Sequence, residues 1–247
     1  MSSLNPIGFP FIELPTVDST NNYAMGLVHA GMAQHGTAVF THEQTKGRGQ
    51  RNKIWSSQAK NNIAISIVIE PKGLSSSQVF ILSKAIAIGT LNFFNSYAQS
   101  DVRIKWPNDI YWRDRKAGGI LIDNVFQGSD WKYAIAGIGL NINQTHFGEL
   151  NKAVSLKQIT GKDFEPLLLA KELCNYLDKA YCKLIIEPQR IAPEYRSSLY
   201  KLDEKVKLKK GSRVFEATIK DVTDLGQLMV KHAAEERFDV GEVEWVI

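Results

Sequence analysis

At 247 residues the chain is long enough for one large domain, or for a medium domain and a small one. Its 44% hydrophobic and 23% charged residues are ordinary globular values, and a formal net charge of +4 does not imply a general nucleic-acid binder. No run of about 18 apolar residues marks a membrane span, the opening MSSLNPIGFP lacks a signal-peptide pattern, and no Cys/His cluster has metal-ligand spacing, so no metal centre is expected.

Residues 1–11 read as a loose arm. Asp18-Ser19-Thr20-Asn21 then opens a helix to about Ala30, with Tyr23, Leu27 and Ala30 on one face. Asp18 or Ser19 serves as its N-cap. The same helix start can also present N–H groups and hydroxyls to a polar ligand. Gly31 ends the helix and Thr37–Thr41 follows as a strand. Next comes Glu43 to Ser57, EQTKGRGQRNKIWSS, a loop between two strands of one sheet. It concentrates Lys46, Arg48, Arg51 and Lys53, with Gly47 and Gly49 around Arg48 and Trp55 near its end. Glycines admit a ligand close to the backbone, arginine forks fit carboxylate or phosphate, and the indole offers a face to a ring. The set suits an anionic ligand with an aromatic part, such as a nucleotide. A solvated basic loop is the plain alternative.

Ile63–Ile69 is apolar on both faces apart from Ser66 and reads as a central strand. After a turn at Pro71–Ser77, capped by Ser75, Ser76 or Ser77, a long buried helix runs to about Ala98. In Arg103-Ile104-Lys105-Trp106-Pro107-Asn108-Asp109, a strand ends at the proline with Lys105 beside the turn. Such a lysine either snorkels to an edge or serves a site. Arg115-Lys116-Ala117-Gly118-Gly119 repeats the approach of a basic run to glycine. Gly137 and Gly139, one residue apart in a strand, leave bare backbone for something to pack against. Asn141 and Asn143 after them can pair with a base edge or a ribose.

Asp163 to Ile185 reads as a helix, capped by Asp163 or Glu165, with Pro166 in its first turn and a stripe from Leu169 to Leu184. Cys174 and Cys182 lie about two turns apart on it, too far for a disulfide, and read as reduced thiols of a cytosolic protein. A linker with Pro188 and Pro193 follows. From about Val206, short strands at Val206–Leu208, Arg213–Ile219, Leu228–Val230 and Val243–Val246 suggest a small barrel. From Leu199 on there are 9 Lys+Arg against 10 Asp+Glu, which argues against a nucleic-acid-binding tail.

The ordered set DSTN, KGRGQ…W, KWPND, RKAGGIL and GIGLNIN resembles the biotin protein ligases, short form without a DNA-binding domain. The resemblance implies an α+β fold: a mixed sheet flanked by helices, like the class II aminoacyl-tRNA synthetases, over residues 1–198, and a small Src homology 3-like β-barrel over 199–247. It implies a two-step reaction. Biotin and ATP with Mg2+ give biotinyl-5′-adenylate and pyrophosphate, and the biotinyl group passes to a lysine of a biotin carboxyl carrier domain. Lys105, Arg48 and Lys116 are then the catalytic cations. Ser19, Thr20, Gln44, Gly47, Arg48, Lys105, Gly118 and Gly119 match biotin-binding positions. Arg48, Arg51, Trp55, Lys105, Asn108, Lys116 and Asn141 match nucleotide-binding positions. A carboxylate attacking a phosphate brings two anions together, and such cations offset that repulsion. The small C-terminal module helps close the ATP site or dock the carrier. DSTN begins at Asp18, so no helix-turn-helix and no DNA binding are expected. The resemblance leaves room for a homodimer.

Three departures stand in the basic loop, where the family often reads GRGRRGR. Gln50 replaces an arginine, Asn52 a glycine and Lys53 an arginine. Gln50 cannot hold an anion as arginine does, so looser retention of the adenylate is expected, and Asn52 is the residue expected to take a left-handed turn. Thr45–Ile54 is expected to be mobile without ligand. Three other readings remain: a lipoate or octanoate transferase of the same architecture, a non-catalytic biotin or nucleotide sensor, and a plain nucleic-acid binder.

Overall fold

The computed structural model describes residues 5–148 and 152–246. Seven strands make the main sheet: β1 (Phe11–Leu14), β2 (Ala38–Thr41), β3 (Asn62–Ile69), β4 (Val102–Lys105), β5 (Asp109–Trp112), β6 (Arg115–Gln127) and β7 (Asp130–Asn141). Their order is β1-β2-β3-β7-β6-β5-β4. The β1–β2 pair is parallel and the rest of the ladder is antiparallel. All eight residues of β3 are buried, because both faces of this strand are covered, as its largely apolar run requires.

Helices α2 (Val79–Ala98) and α4 (Pro166–Ile186) cover one face, packing on Ile63, Ile65, Ile67 and Ile69. Helix α1 (Thr20–His29) covers the other through Ala24, against Val39, Val68 and Ile135. The stretch Ser76–Ala98 is long and apolar enough to cross a membrane by length and composition, yet most of it is buried inside this core. The buried side of α1 is Thr20, Asn21 and Ala24, while Tyr23 and Ala30 are exposed. That corrects the face expected from the sequence. The polar residues face inward because they line a cavity.

Five short elements were not foreseen, β5 among them. Phe11–Leu14 pairs with Ala38–Thr41 as β1. The preceding residues are pinned rather than loose: Ile7 N–H donates to Asp178 at 2.9 Å and Gly8 N–H to the Gly36 carbonyl at 2.8 Å. Residues 1–4 of that expected arm lie outside the described residues. Helix α3 (Leu156–Thr160) carries a Ser155 capping box. The expected Pro188–Pro193 linker is a turn at Pro188–Arg190 followed by helix α5 (Ile191–Ser197). Pro193 sits in the first turn of α5, where its missing N–H costs nothing.

The C-terminal strands β8 (Lys205–Lys210), β9 (Arg213–Val222), β10 (Leu228–Lys231), β11 (Glu235–Phe238) and β12 (Glu244–Val246) form an antiparallel sheet ordered β11-β10-β9-β8-β12. β11 is another element missed. Leu208, Ile219, Val222, Leu228, Val230 and Phe238 join the same core as the main sheet. Two polar ties reinforce the seam: Trp106 Nε1 donates to the Gly226 carbonyl at 2.8 Å, and Lys84 Nζ to the Val222 carbonyl at 3.1 Å. Both cysteines are free, Cys174 buried and Cys182 exposed.

Candidate active site

The start of α1 makes the floor of the site. Ser19, Thr20 and Asn21 are each no more than 3% exposed. Neither Asp18 nor Ser19 caps the helix with its side chain. Gln44 does, its Oε1 accepting from Thr20 N at 2.9 Å and from Thr20 Oγ1 at 3.2 Å. Asp18 instead accepts from Asn22 Nδ2 at 2.6 Å, which holds its carboxyl below the usual range. Behind this floor lies Ser66, wholly buried on β3. Its Oγ is 2.5 Å from Asn21 Oδ1 and 2.7 Å from Thr20 Oγ1. The polar residue in the middle of this strand is therefore a support for the α1 hydroxyl and amide.

The two glycines of β7 accept side chains of the protein itself. A Cβ on Gly137 would stand 2.1 Å from Asn21 Oδ1, and one on Gly139 would stand 2.4 Å from the Trp55 ring. Trp55 is thus seated on bare backbone, and Gly139 is the residue that seats it.

The basic loop folds back on itself. Gly49 N–H donates to the Lys53 carbonyl at 2.7 Å and Trp55 N–H to the Gly47 carbonyl at 3.0 Å. The left-handed residue is Arg51 (φ 56, ψ 47), not Asn52 as expected. Arg51 crosses to the C-terminal sheet, where its guanidinium would lie 2.7 Å from a Cβ at Gly241. Only glycine leaves that space. Arg48 Nη1 donates to Asp123 at 3.0 Å and to Asn22 Oδ1 at 3.1 Å, which ties the loop to α1 and β6.

Lys105 ends β4 and is 8% exposed. It does not snorkel. Its Nζ donates to the Tyr111 hydroxyl at 3.1 Å. Burial brings its pKa down to about 8; Asp109 opposes that shift and Lys116 adds to it. Lys116 pairs with Asp109 at 2.6 Å. A bulge explains how Lys116 reaches the site. The β5–β6 register steps from Ile110–Gly118 to Tyr111–Lys116, skipping Ala117. Lys116 and Gly119, three apart, would face opposite ways in a regular strand. The extra residue turns both toward one side.

These parts enclose one cavity of about 780 Å³. Ser19, Thr20 and Gln44 line it, as do Arg48, Arg51, Trp55, Lys105, Asn108, Lys116, Gly119 and Asn141. Ala64, Trp106, Ile120, Ile138, Phe147 and Val243 give it apolar wall. Gly47 and Gly118 do not reach it. A Cβ on Gly47 would meet the Trp55 carbonyl at 2.3 Å and one on Gly118 would meet Leu140 at 2.4 Å, so both glycines serve close packing behind the wall. Asn108 Nδ2 is spent on the Ile120 carbonyl, and Asn141 Nδ2 on the Lys116 and Val154 carbonyls. Asn143 holds Phe164 through two hydrogen bonds and is not part of the wall.

Sequence reasoning missed Asp109, Tyr111 and Trp245, all of which touch the cationic centre. In the β4–β5 register Lys105 faces Asp109, and Tyr111 lies two residues on, on the same face. The period of two was the available signal for both. Trp245, some 140 positions from Lys105, gave none.

The family model described as the biotin/lipoate A/B protein ligase family matches residues 13–141, just over half of the chain. The chain belongs to that family. Among curated relatives, the bifunctional ligase/repressor BirA of Escherichia coli is 30% identical over 192 residues, covering 77% of this chain and 58% of its own length. The biotin–[acetyl-CoA-carboxylase] ligase of Paracoccus denitrificans is 33% identical over 132 residues, 52% of this chain and 53% of its own. The chain thus spans between about half and three fifths of the length of these two family members. The biotin protein ligase of Aquifex aeolicus, solved in complex with biotin and ATP, superposes with a TM-score of 0.79 at 24% identity, covering 96% of this chain and 98% of that one. At that identity the likeness is one of fold.

Proposed function

We propose that the chain is an ATP-dependent, AMP-forming biotin protein ligase. The observation that carries this reading is a single cavity with polar Ser19, Thr20 and Gln44 at one end and Lys105, Lys116, Arg48 and Arg51 at the other. The names of the relatives and the biotin and ATP in the Aquifex complex support it. A polar head with an apolar tail and a terminal carboxylate matches that layout. Thr20, held by Gln44 and Ser66, orients the head. The apolar wall takes the tail and aims the carboxylate at Lys105.

The carboxylate oxygen attacks the α-phosphorus of ATP, a mixed anhydride forms, and pyrophosphate leaves. Lys105 sits in a poorly hydrated spot and offsets the negative charge that gathers on the attacked phosphate. Lys116, held by Asp109, and the arginines of the basic loop face the remaining phosphates. Trp55, fixed on Gly139, offers its exposed ring face to the base. In the second step the neutral amine of a carrier lysine attacks the acyl carbon, an amide forms, and AMP leaves. Mg2+ would enter with the nucleotide and would supply further positive charge at the phosphates; Asp109 and Glu244 are the carboxylates on the cavity wall that would hold it.

The acceptor in this reading is a biotin carboxyl carrier domain, and the working compartment is the cytoplasm. Residues 1–198 act as the catalytic unit. Residues 199–247 form a small Src homology 3-like barrel that closes the nucleotide end of the cavity. The reading is tested by exchange of labelled pyrophosphate into ATP, with biotin, lipoate and octanoate in parallel. Exchange with biotin alone is expected. Exchange with lipoate or octanoate would move the chain to the other half of its family, and binding of biotin without exchange would make it a sensor.

A further inference from the structure

The charge that the proposed chemistry needs is a free cation, and Lys105 is kept as one. Among the described residues no carboxylate reaches ion-pairing distance of Lys105. Asp109, its partner in the strand register, is engaged by Lys116 at 2.6 Å. The ammonium instead stands 4.7 Å from the centre of the Tyr111 ring and 5.2 Å from that of Trp245, with the Tyr111 hydroxyl at 3.1 Å. Tyr200 backs both rings, at 5.2 Å from Tyr111 and 5.7 Å from Trp245. Its own hydroxyl is fixed on Asp114 at 2.6 Å. Trp245 comes from β12, paired with the buried Leu208 of β8.

We propose that Tyr111 and Trp245 are positioning residues for Lys105, so that the last strand of the chain sets the direction and the availability of the charge used in acid activation. The proposal rests on the ligase reading for its kinetic consequence and on geometry alone for its titration. Aromatic faces attract a cation without neutralising it. A carboxylate in their place would form an ion pair and withdraw the charge from the reacting anions. With rings on two sides, the ammonium is left facing the cavity. The charged groups around it are Asp109 on β5, Lys116 on β6, Lys53 on the basic loop, Lys152, and Glu244 beside Trp245 on β12.

The test uses the full chain and four variants, Trp245→Ala, Trp245→Leu, Trp245→Phe and Tyr111→Phe. Biotin-dependent pyrophosphate exchange is followed from about pH 6 to about pH 10, the range that spans the lowered lysine pKa. In parallel, the pH dependence of Lys105 acylation by a small amine-reactive anhydride is read by peptide mass. Trp245→Ala is expected to lower kcat roughly tenfold with KM for biotin within about twofold, and to move the acylation curve of Lys105 upward as water reaches the ammonium. Trp245→Phe keeps a ring and restores most of kcat. Trp245→Leu keeps bulk without a ring and behaves as alanine; it carries the test if the alanine variant does not fold. Tyr111→Phe loses the hydroxyl alone and gives a smaller fall. An unchanged Lys105 acylation curve in Trp245→Leu, or a loss confined to KM, overturns the proposal. If the wild-type chain exchanges with no acid, the ligase reading fails and the acylation curves alone decide this one.

Discussion

Lys105 carries a cost that the fold accepts. Its folded pKa of about 8 lies below the ordinary 10.5, so between those values the unfolded chain holds a proton that the folded chain has released. Stability therefore rises with pH from about 8 to about 10.5, and below about 8 the full penalty of the buried charge is present. Replacing the ammonium by an isosteric apolar group removes that penalty. Lys105→Met should melt higher at neutral pH, by a gain on the order of 2 kcal/mol, while losing pyrophosphate exchange and still binding biotin. Thermal melts and a binding isotherm on the same preparation check both halves. Gly139 gives the opposite case. Gly139→Ala drives a methyl into the Trp55 ring, so the indole must leave its seat. The expected result is about 1–3 kcal/mol of lost stability and a raised KM for ATP with KM for biotin little changed. The cations were legible because each sits in a short local motif, and Asp109 and Tyr111 were within reach of strand periodicity. Trp245 was not, since only the packing of the C-terminal sheet against the main one brings its ring beside Lys105.

At the scale of elements, the basic loop is where local reading and tertiary structure part company. Its glycines suggested freedom, yet Gly47 is held under the Trp55 carbonyl and Arg48 is tied to Asp123. Hydrogen exchange across Thr45–Ile54 should nonetheless slow on adding biotin and ATP together; equal exchange with and without them would mark a loop already ordered. The joint between β3 and α4 shows a different kind of coupling. His35 is 3% exposed, its Nδ1 accepts from Glu70 N–H at 3.1 Å, and its ring lies 4.8 Å from that of Tyr181. Burial lowers its pKa from 6.5. As pH falls below 6.5 the unfolded chain takes up a proton that the folded chain refuses, so stability drops on the acid side. Replacing His35 by Gln should flatten that acid slope in denaturant titrations, whatever its effect at neutral pH. The elements that escaped the sequence reading, β1, β5, α3, α5 and β11, share one reason. Each spans four to seven residues, too few for a period to show. Their existence depends on a partner: β1 needs β2 in parallel register, and β11 needs β10.

Across the whole molecule, the resemblance pointed to the cations that line the cavity, and the long elements were readable from the chain. The way the C-terminal sheet is joined was not. Its apolar residues continue the main core rather than forming a separate one, and Lys84, 2% exposed, reaches from α2 to the Val222 carbonyl. The chain should therefore unfold in one calorimetric transition, with van't Hoff and calorimetric enthalpies equal. A fragment ending at residue 198 should expose the seam around Phe80, Trp106 and Ile104 and precipitate. Two resolved transitions, or a monodisperse fragment, would count against this view.

The cavity wall has a practical side. The chain has five tryptophans, and Trp55, Trp106 and Trp245 stand on that wall. Each occupies a different quarter of it: one on the sheet backbone, one at the turn after Lys105, one on the final strand. Filling the cavity displaces water from Trp55 and Trp245, while the buried Trp106 together with Trp112 and Trp131 supplies a steadier background. The protein thus carries its own optical probe. Its ultraviolet emission should report occupancy without any label, and single tryptophan-to-phenylalanine replacements would tell which end of the cavity each ligand fills first.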